Sequence, residues 1–285
     1  MPNTGGSGAD LVPASDAQWA PLSSFASTSD AARLYVIKFG SVYTRGVVDS
    51  IGTVVGSALI PGADAPTFEV SKVDASYAKD RNHVYYDIGK VLPSADPQSF
   101  RLLVDHHNDT VGQGAMYAAD ANHVWYYGSL IGDADPNTLT LVEDSDGNQT
   151  GYAKSHQNVF YGIELIMGAD PITFVAVSDP KSGEFTGYVK DKNHVYGFPN
   201  PFYPITPIPE AGPGSFRAFN YADGRTSGYG LDESHVYFYG NFMPMADPKS
   251  FAVVPIGDQG GAFDAYDANH FYEQGAPVAT TTYTN

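Results

Sequence analysis

Apolar and polar residues alternate in short runs along most of this chain, and the runs stop at glycines, Asp-Pro pairs or Asp-rich turns. Leu34-Tyr35-Val36-Ile37, Val42-Tyr43 and His83-Val84-Tyr85-Tyr86 are β-branched and aromatic, so the pattern predicts half-buried strands. A glycine at 89, 128, 162, 240 and 275 closes a strand and opens the next turn. Residues 1–30 lack the pattern. They are rich in Gly, Ser, Ala, Pro and Asp, with Trp19 as the one large anchor, and read as a flexible or loosely docked arm. A short helix capped at Ser29-Asp30 competes with strand where the chain turns apolar, and strand is the expectation there. The run 279–285 is β-prone and reads as a tail.

The strands belong to repeats. Tyr188-Val-Lys-Asp191-Lys-Asn193-His194-Val-Tyr196 recurs around Asp80, Asn82 and His83, and around Asp120, Asn122 and His123. Weaker copies surround Asn158, Asp232 with His235, and Asp267 with Asn269 and His270. A second phrase, Ala-Asp-Pro-x-Ser/Thr-Phe, recurs at 95–100, 134–139 (ending in Leu139), 169–174 and 246–251, with degenerate forms at 63–68 and 211–216. Its Asp caps free amides, its Pro presets φ, its hydroxyl can bond back, and its Phe enters the core. In Asp-x-Asn-His the Asn is expected in the left-handed conformation of a tight reversal.

Positions 83, 123, 158, 194, 235 and 270 define a repeat of about 37 residues, too small to bury a face alone, so neighbours must stack. The fold expected is all-β, with three or four short antiparallel strands per repeat. The stack is read as a six-bladed, propeller-like ring, with an open β array capped by residues 34–42 as the alternative. The ring rests on pairing each His phrase with the Asp-Pro phrase after it, which leaves one phrase alone at each end. The repeat domain is placed at 31–278.

Composition narrows the partners. Thirty-two acidic against 15 basic residues give a net charge of -17, which repels phosphate backbones and anionic lipid. Nucleic acid and membrane insertion are therefore not expected. Absence of cysteine removes disulfides and thiolate sites, and no apolar run is long enough to cross a bilayer. The start, 1–8, has neither a basic nor an apolar leader region. Twenty tyrosines and few basic residues suit an extracellular or cell-surface location, its leader absent from this sequence, with the cytoplasm still open.

The Asp191-Lys-Asn-His-Val-Tyr196 phrase, its copies and their Ala-Asp-Pro-x-Thr-Phe partner resemble the DKNYY repeat family of bacterial proteins over about 60–278. Histidine stands in place of the family's first tyrosine in most copies. The resemblance implies a secreted or envelope-associated repeat protein, with no established activity, cofactor or catalytic residue.

Each candidate site has a structural competitor. The repeated histidines could gather as bases, but a repeated residue is usually a repeated structural part that bonds back to its own turn. Asp144, Asp146 and Asn148 put oxygens on alternate residues, as in a Ca2+ loop, yet no bidentate Glu follows and Asp-Gly suits a hairpin turn. The turn is the expectation, with Ca2+ as the one cofactor alternative. Residues 105–109 read as a polar loop, and Tyr221-Ala-Asp-Gly-Arg225 as another hairpin tip. The proline-stiffened loop 197–209 carries Phe198, Phe202 and Tyr203, which suit a sugar or protein ligand. The functional expectation is a non-catalytic binding or adhesion module for a protein or glycan. A subunit self-assembling through strand exchange of its termini and a carbohydrate-active enzyme are the alternatives.

Overall fold

The structure is a computed structural model that describes residues 18–27, 29–45, 47–48, 54–87, 89–105, 115–197, 204–254 and 263–278. Almost all of its regular structure is antiparallel strand. The expectation of strand fails at one place, where α1 forms over Asp30–Leu34. The Ser29 hydroxyl accepts from the Ala32 amide at 3.3 Å and satisfies a free helical donor. Ala-Ala-Arg-Leu favours helix, while β-branching begins only at Val36, within the strand Tyr35–Lys38 that pairs with Ser41–Thr44.

Six sheets follow in chain order. The second is representative: Arg101–Leu103, Tyr117–Ala119, Val124–Tyr126 and Ser129–Ile131 pair in sequence as a meander. The first sheet adds an edge strand, Trp19–Pro21, against Glu69–Ser71. Trp19 and Ala20 are buried, so part of the segment read as an arm is packed against the first sheet. The fourth sheet has three strands and ends at Val195–Tyr196. No sheet among the described residues combines strands from both ends of the chain.

The region read as one repeat domain divides into two compact units, Met1–Thr140 and Leu141–Asn285. In the first, the Tyr35–Lys38/Ser41–Thr44 hairpin caps the first sheet through Tyr35, Val42, Phe68 and Tyr85. The first and second sheets share Tyr77, Val84, Phe100 and Trp125. In the second unit, shared cores join the third sheet to the fourth, the fourth to the fifth and the fifth to the sixth. Stacking is what such small sheets require, because each can dry a face only against a neighbour.

One side-chain rule runs through these cores. The phenylalanine of an Asp-Pro phrase lies between the first tyrosine of the preceding repeat and an aromatic of its own. Phe100 lies 6.0 Å from Tyr77 and 5.4 Å from Trp125; Phe216 lies 5.2 Å from Tyr188 and 6.0 Å from Tyr237. Phe251 lies 5.3 Å from Tyr229 and 5.7 Å from Tyr272. Tilted pairs at these separations add attraction to the area they bury.

Left-handed residues were expected at the Asn of Asp-x-Asn-His, but they occur one turn later. Tyr127-Gly128, Tyr239-Gly240 and Gln274-Gly275 have positive φ at both positions, the geometry of a tight type I′ hairpin. The glycine is forced twice over. A Cβ on Gly275, at φ +79, would sit 2.5 Å from the Phe238 ring of the preceding repeat. Gly275→Ala should therefore cost at least about 1–3 kcal/mol, read as a lower denaturant midpoint at unchanged slope.

Candidate functional site

The repeated phrases meet at a buried carboxylate. In Asp80, Asp120, Asp191, Asp232 and Asp267, Oδ1 accepts from the amides two and three residues on, at 2.6–2.8 Å. The side chain thus closes the turn without a left-handed Asn, which is why that expectation fails. Oδ2 accepts from the phrase that opens the same repeat: from Asp64 at 2.7 Å, Asp96 at 2.9 Å, Asp170 at 2.9 Å, Gly212 at 2.8 Å and Asp247 at 2.8 Å, all backbone amides. A tyrosine hydroxyl donates to the same oxygen from Tyr85, Tyr196, Tyr237 and Tyr272. In the second repeat Trp125 stands at that position, and His123 Nδ1 lies 3.4 Å from Asp120 Oδ2.

The link runs both ways. The Ser99 hydroxyl donates to the Asp96 carboxylate at 2.6 Å and accepts from the Ala121 amide at 3.0 Å. Thr67, Thr173 and Ser250 repeat this relay. Five of the six Asp-Pro-type phrases are therefore clasped to the His phrase that follows; after the phrase at 134–139, Ser155 stands where the other repeats have the aspartate. Neither terminal phrase is alone, and the half-unit offset that suggested a strand-sharing ring disappears.

Cations then tie one repeat to the next. Lys79 Nζ donates to the Pro97 carbonyl at 3.1 Å, Lys154 to Phe174 at 2.8 Å and Lys190 to Pro213 at 2.9 Å. The second repeat has Ala119 where these lysines stand. Its register partner Arg101 supplies the charge instead, donating to the Pro136 carbonyl at 2.7 Å. Burial pulls Lys154, Lys190 and Arg101 below their ordinary range.

The histidines open the strand after the clasp and stay half-buried. His83 and His194 bring Nδ1 within 3.4 and 3.5 Å of the tyrosine hydroxyl on the same strand, and His235 and His270 lie 3.7 Å from their own aspartate. Asn82, Asn122, Asn193 and Asn269 are exposed, and nothing in the structure explains their recurrence. Asp144 accepts from Asp146, Asn148 and Phe185 amides at the tip of a hairpin with Gly147 at φ +86, so its oxygens serve the turn. Among the described residues no group of three His, Asp or Glu side chains is placed to hold a metal. Phe198, Phe202, Tyr203 and residues 106–109 lie outside the described residues.

A second recurrence points outward. The last strand of the first, second, third and fifth sheets exposes Val91 (39%), Leu130 (53%), Leu165 (37%) and Phe242 (53%). Each is followed by a buried residue, Leu92, Ile131, Ile166 and Met243, and pairs across the sheet with Tyr85, Trp125, Phe160 and Tyr237. These strands hydrogen-bond on one side only within their sheets, leaving an edge with apolar side chains. The exposed residue is visible in the sequence only once the glycine-opened hairpins are aligned.

The clasp makes stability pH-dependent. For Asp80, Asp191, Asp232 and Asp267, burial pushes the carboxyl up, but the amides and, for most, the tyrosine hydroxyl outweigh it and hold the group below the usual range. A depressed folded value means the stabilisation is complete at neutral pH. It begins to fade as pH drops through the unfolded value of about 3.9 and is lost below the folded values. Denaturant midpoints should fall steeply over that acid window. At neutral pH, Asp191→Ala should cost about 3 kcal/mol by leaving buried amides unpaired, and Tyr196→Phe about 1 kcal/mol.

Two overlapping matches to one family model, the DKNYY family, cover residues 35–200 and 117–276. No curated protein and no solved structure matches significantly. The two matches are offset by whole repeats and together span the clasped sheets, and on that evidence the chain belongs to the DKNYY family.

Proposed function

We propose that this protein is a non-catalytic binding module of the bacterial cell surface or extracellular space, engaging a protein or glycan through the outer strands of its repeats. The observation that carries this reading is the recurrence of one exposed apolar residue on the outermost strand at Val91, Leu130, Leu165 and Phe242. A hydrophobe left largely in water at the same place in four of the six sheets adds little to the core, whereas a partner docking along the outer strands would meet it repeatedly. The clasp supports the same reading from inside: its aspartates and tyrosines are fully occupied with backbone groups and each other. The net charge of -17 favours a neutral or cationic partner over an anionic one.

Free strand edges also support the second reading, self-association, since a further copy could extend a sheet. The termini on which strand exchange was expected, 1–17 and 279–285, lie outside the described residues. Light scattering separates the two: a particle of 30.5 kDa supports the binding module, and concentration-dependent polymers support the assembly subunit. In a binding screen against surface glycans and matrix proteins, the triple variant Leu130→Ser, Leu165→Ser, Phe242→Ser should lose affinity by about tenfold or more. Its folding stability should stay within about 0.5 kcal/mol per exposed site. Unchanged affinity in that variant would sink the outer-strand reading, and turnover of a glycan would replace it with an enzyme.

A further inference from the structure

The second unit contains a break in its own regularity. Hairpins at the start of successive sheets close with the same backbone bond: Asp144 to Asn148 at 2.9 Å, Asp179 to Glu184 at 2.9 Å and Tyr221 to Arg225 at 2.8 Å. In the first two, the side chain at that position straps its hairpin to the next one. Asp144 Oδ2 accepts from the Phe185 amide at 3.2 Å, and Asp179 Oδ2 from the Asn220 amide at 2.9 Å. In the fifth sheet a tyrosine stands where the aspartate belongs. Its hydroxyl donates to Asp264 Oδ2 at 2.9 Å, and a cleft of about 730 Å3 opens beside it.

Rings and polar groups line that cleft in a particular arrangement. Phe219, Tyr221 and Phe251 present half-exposed rings, and Lys181, Glu184 and Asp223 stand at the rim. The rings are fixed before any ligand arrives. Tyr221 is tied to Asp264 and lies under the Arg225 guanidinium at 6.0 Å, while Phe251 is wedged between Tyr229 and Tyr272. The site is mildly acidic. Asp179 keeps its charge while accepting from the Lys181, Ser182 and Asn220 amides, Asp223 is paired with Arg225 at 2.7–2.8 Å, and Glu184 and Lys181 carry one charge of each sign.

We infer that this cleft binds a neutral saccharide. Rigid aromatic faces suit the apolar faces of sugar rings at small entropic cost, and the surrounding donors and acceptors suit hydroxyls. The volume falls within the range of about 300–1,000 Å3 that small-ligand sites occupy. The carboxylate excess works against an anionic ligand, while the rings and hydrogen-bonding groups suit a neutral one, so a cationic peptide is the competing outcome of the test. The site shares no residue with Leu130, Leu165 or Phe242, so it stands or falls apart from the outer-strand surface.

The test is calorimetric and NMR titration of the full chain with neutral hexose and N-acetylhexosamine mono- and disaccharides. Saturable binding at micromolar to millimolar concentrations is expected, with shifts confined to the residues of the cleft. Tyr221→Ala should weaken it by about tenfold or more, while Tyr221→Phe, which keeps the ring and loses only the hydroxyl bond, should weaken it by less. Because Tyr221→Ala can also loosen the hairpin, Ala222→Trp provides an independent arm by filling the cleft from an exposed position, and it should abolish binding with the fold intact. No saturable binding of any neutral saccharide, binding that survives both variants, or preferential binding of a cationic peptide would each overturn the proposal.

Discussion

A carboxylate with no water around it must be matched bond for bond, and this protein uses that demand as a fastening device. Asp191 answers it with two amides of its own turn, the Asp170 amide and the Tyr196 hydroxyl. Burial of an unpaired carboxylate would be prohibitive, so the turn, the incoming phrase and the tyrosine are ordered together or not at all. Because the same arrangement recurs down the chain, short sheets with very small areas of their own become units rigid enough to stack.

Stacking then follows from shape. A phenylalanine delivered by most Asp-Pro phrases enters between aromatic rings of adjacent repeats, and a lysine or arginine crosses to the next phrase's carbonyls. The exchange of Lys79 for Arg101 in the second repeat shows what the position requires. A cation must reach the next repeat from that face of the sheet, and either strand of a registered pair can supply it. The interior is accordingly spoken for, and variation that could carry function lies at hairpin tips and outer strands. The substitution of Tyr221 for the strapping aspartate is such a variation, and so is the run of exposed residues from Val91 to Phe242.

Much of this was legible in the residues. Alternation and glycine spacing placed the strands, the recurrence of two phrases gave the repeat, and Asp-Pro-x-Ser/Thr announced its own back-bonding turn. Two local readings missed. Helix α1 won over strand because Ser29 caps it. The Asn of Asp-x-Asn-His needs no left-handed backbone, because the preceding aspartate closes the turn. Tyr221-Ala-Asp-Gly-Arg225 is the hairpin tip its sequence implies, and it also borders a cleft that no local pattern announces.

What the sequence determined by itself is local: turns in which a side chain reaches amides two or three residues away, strands fixed by alternation, and the count of repeats. Such contacts depend on covalent neighbours, so the order of residues suffices. What only the tertiary structure decided is partnership: that Asp191 holds the phrase before it and not the one after, that Arg101 replaces a lysine missing from another strand, and that Tyr221 reaches Asp264 at the border of a cleft. Those bonds join groups some twenty or more residues apart, and their geometry exists only after the sheets have twisted and packed.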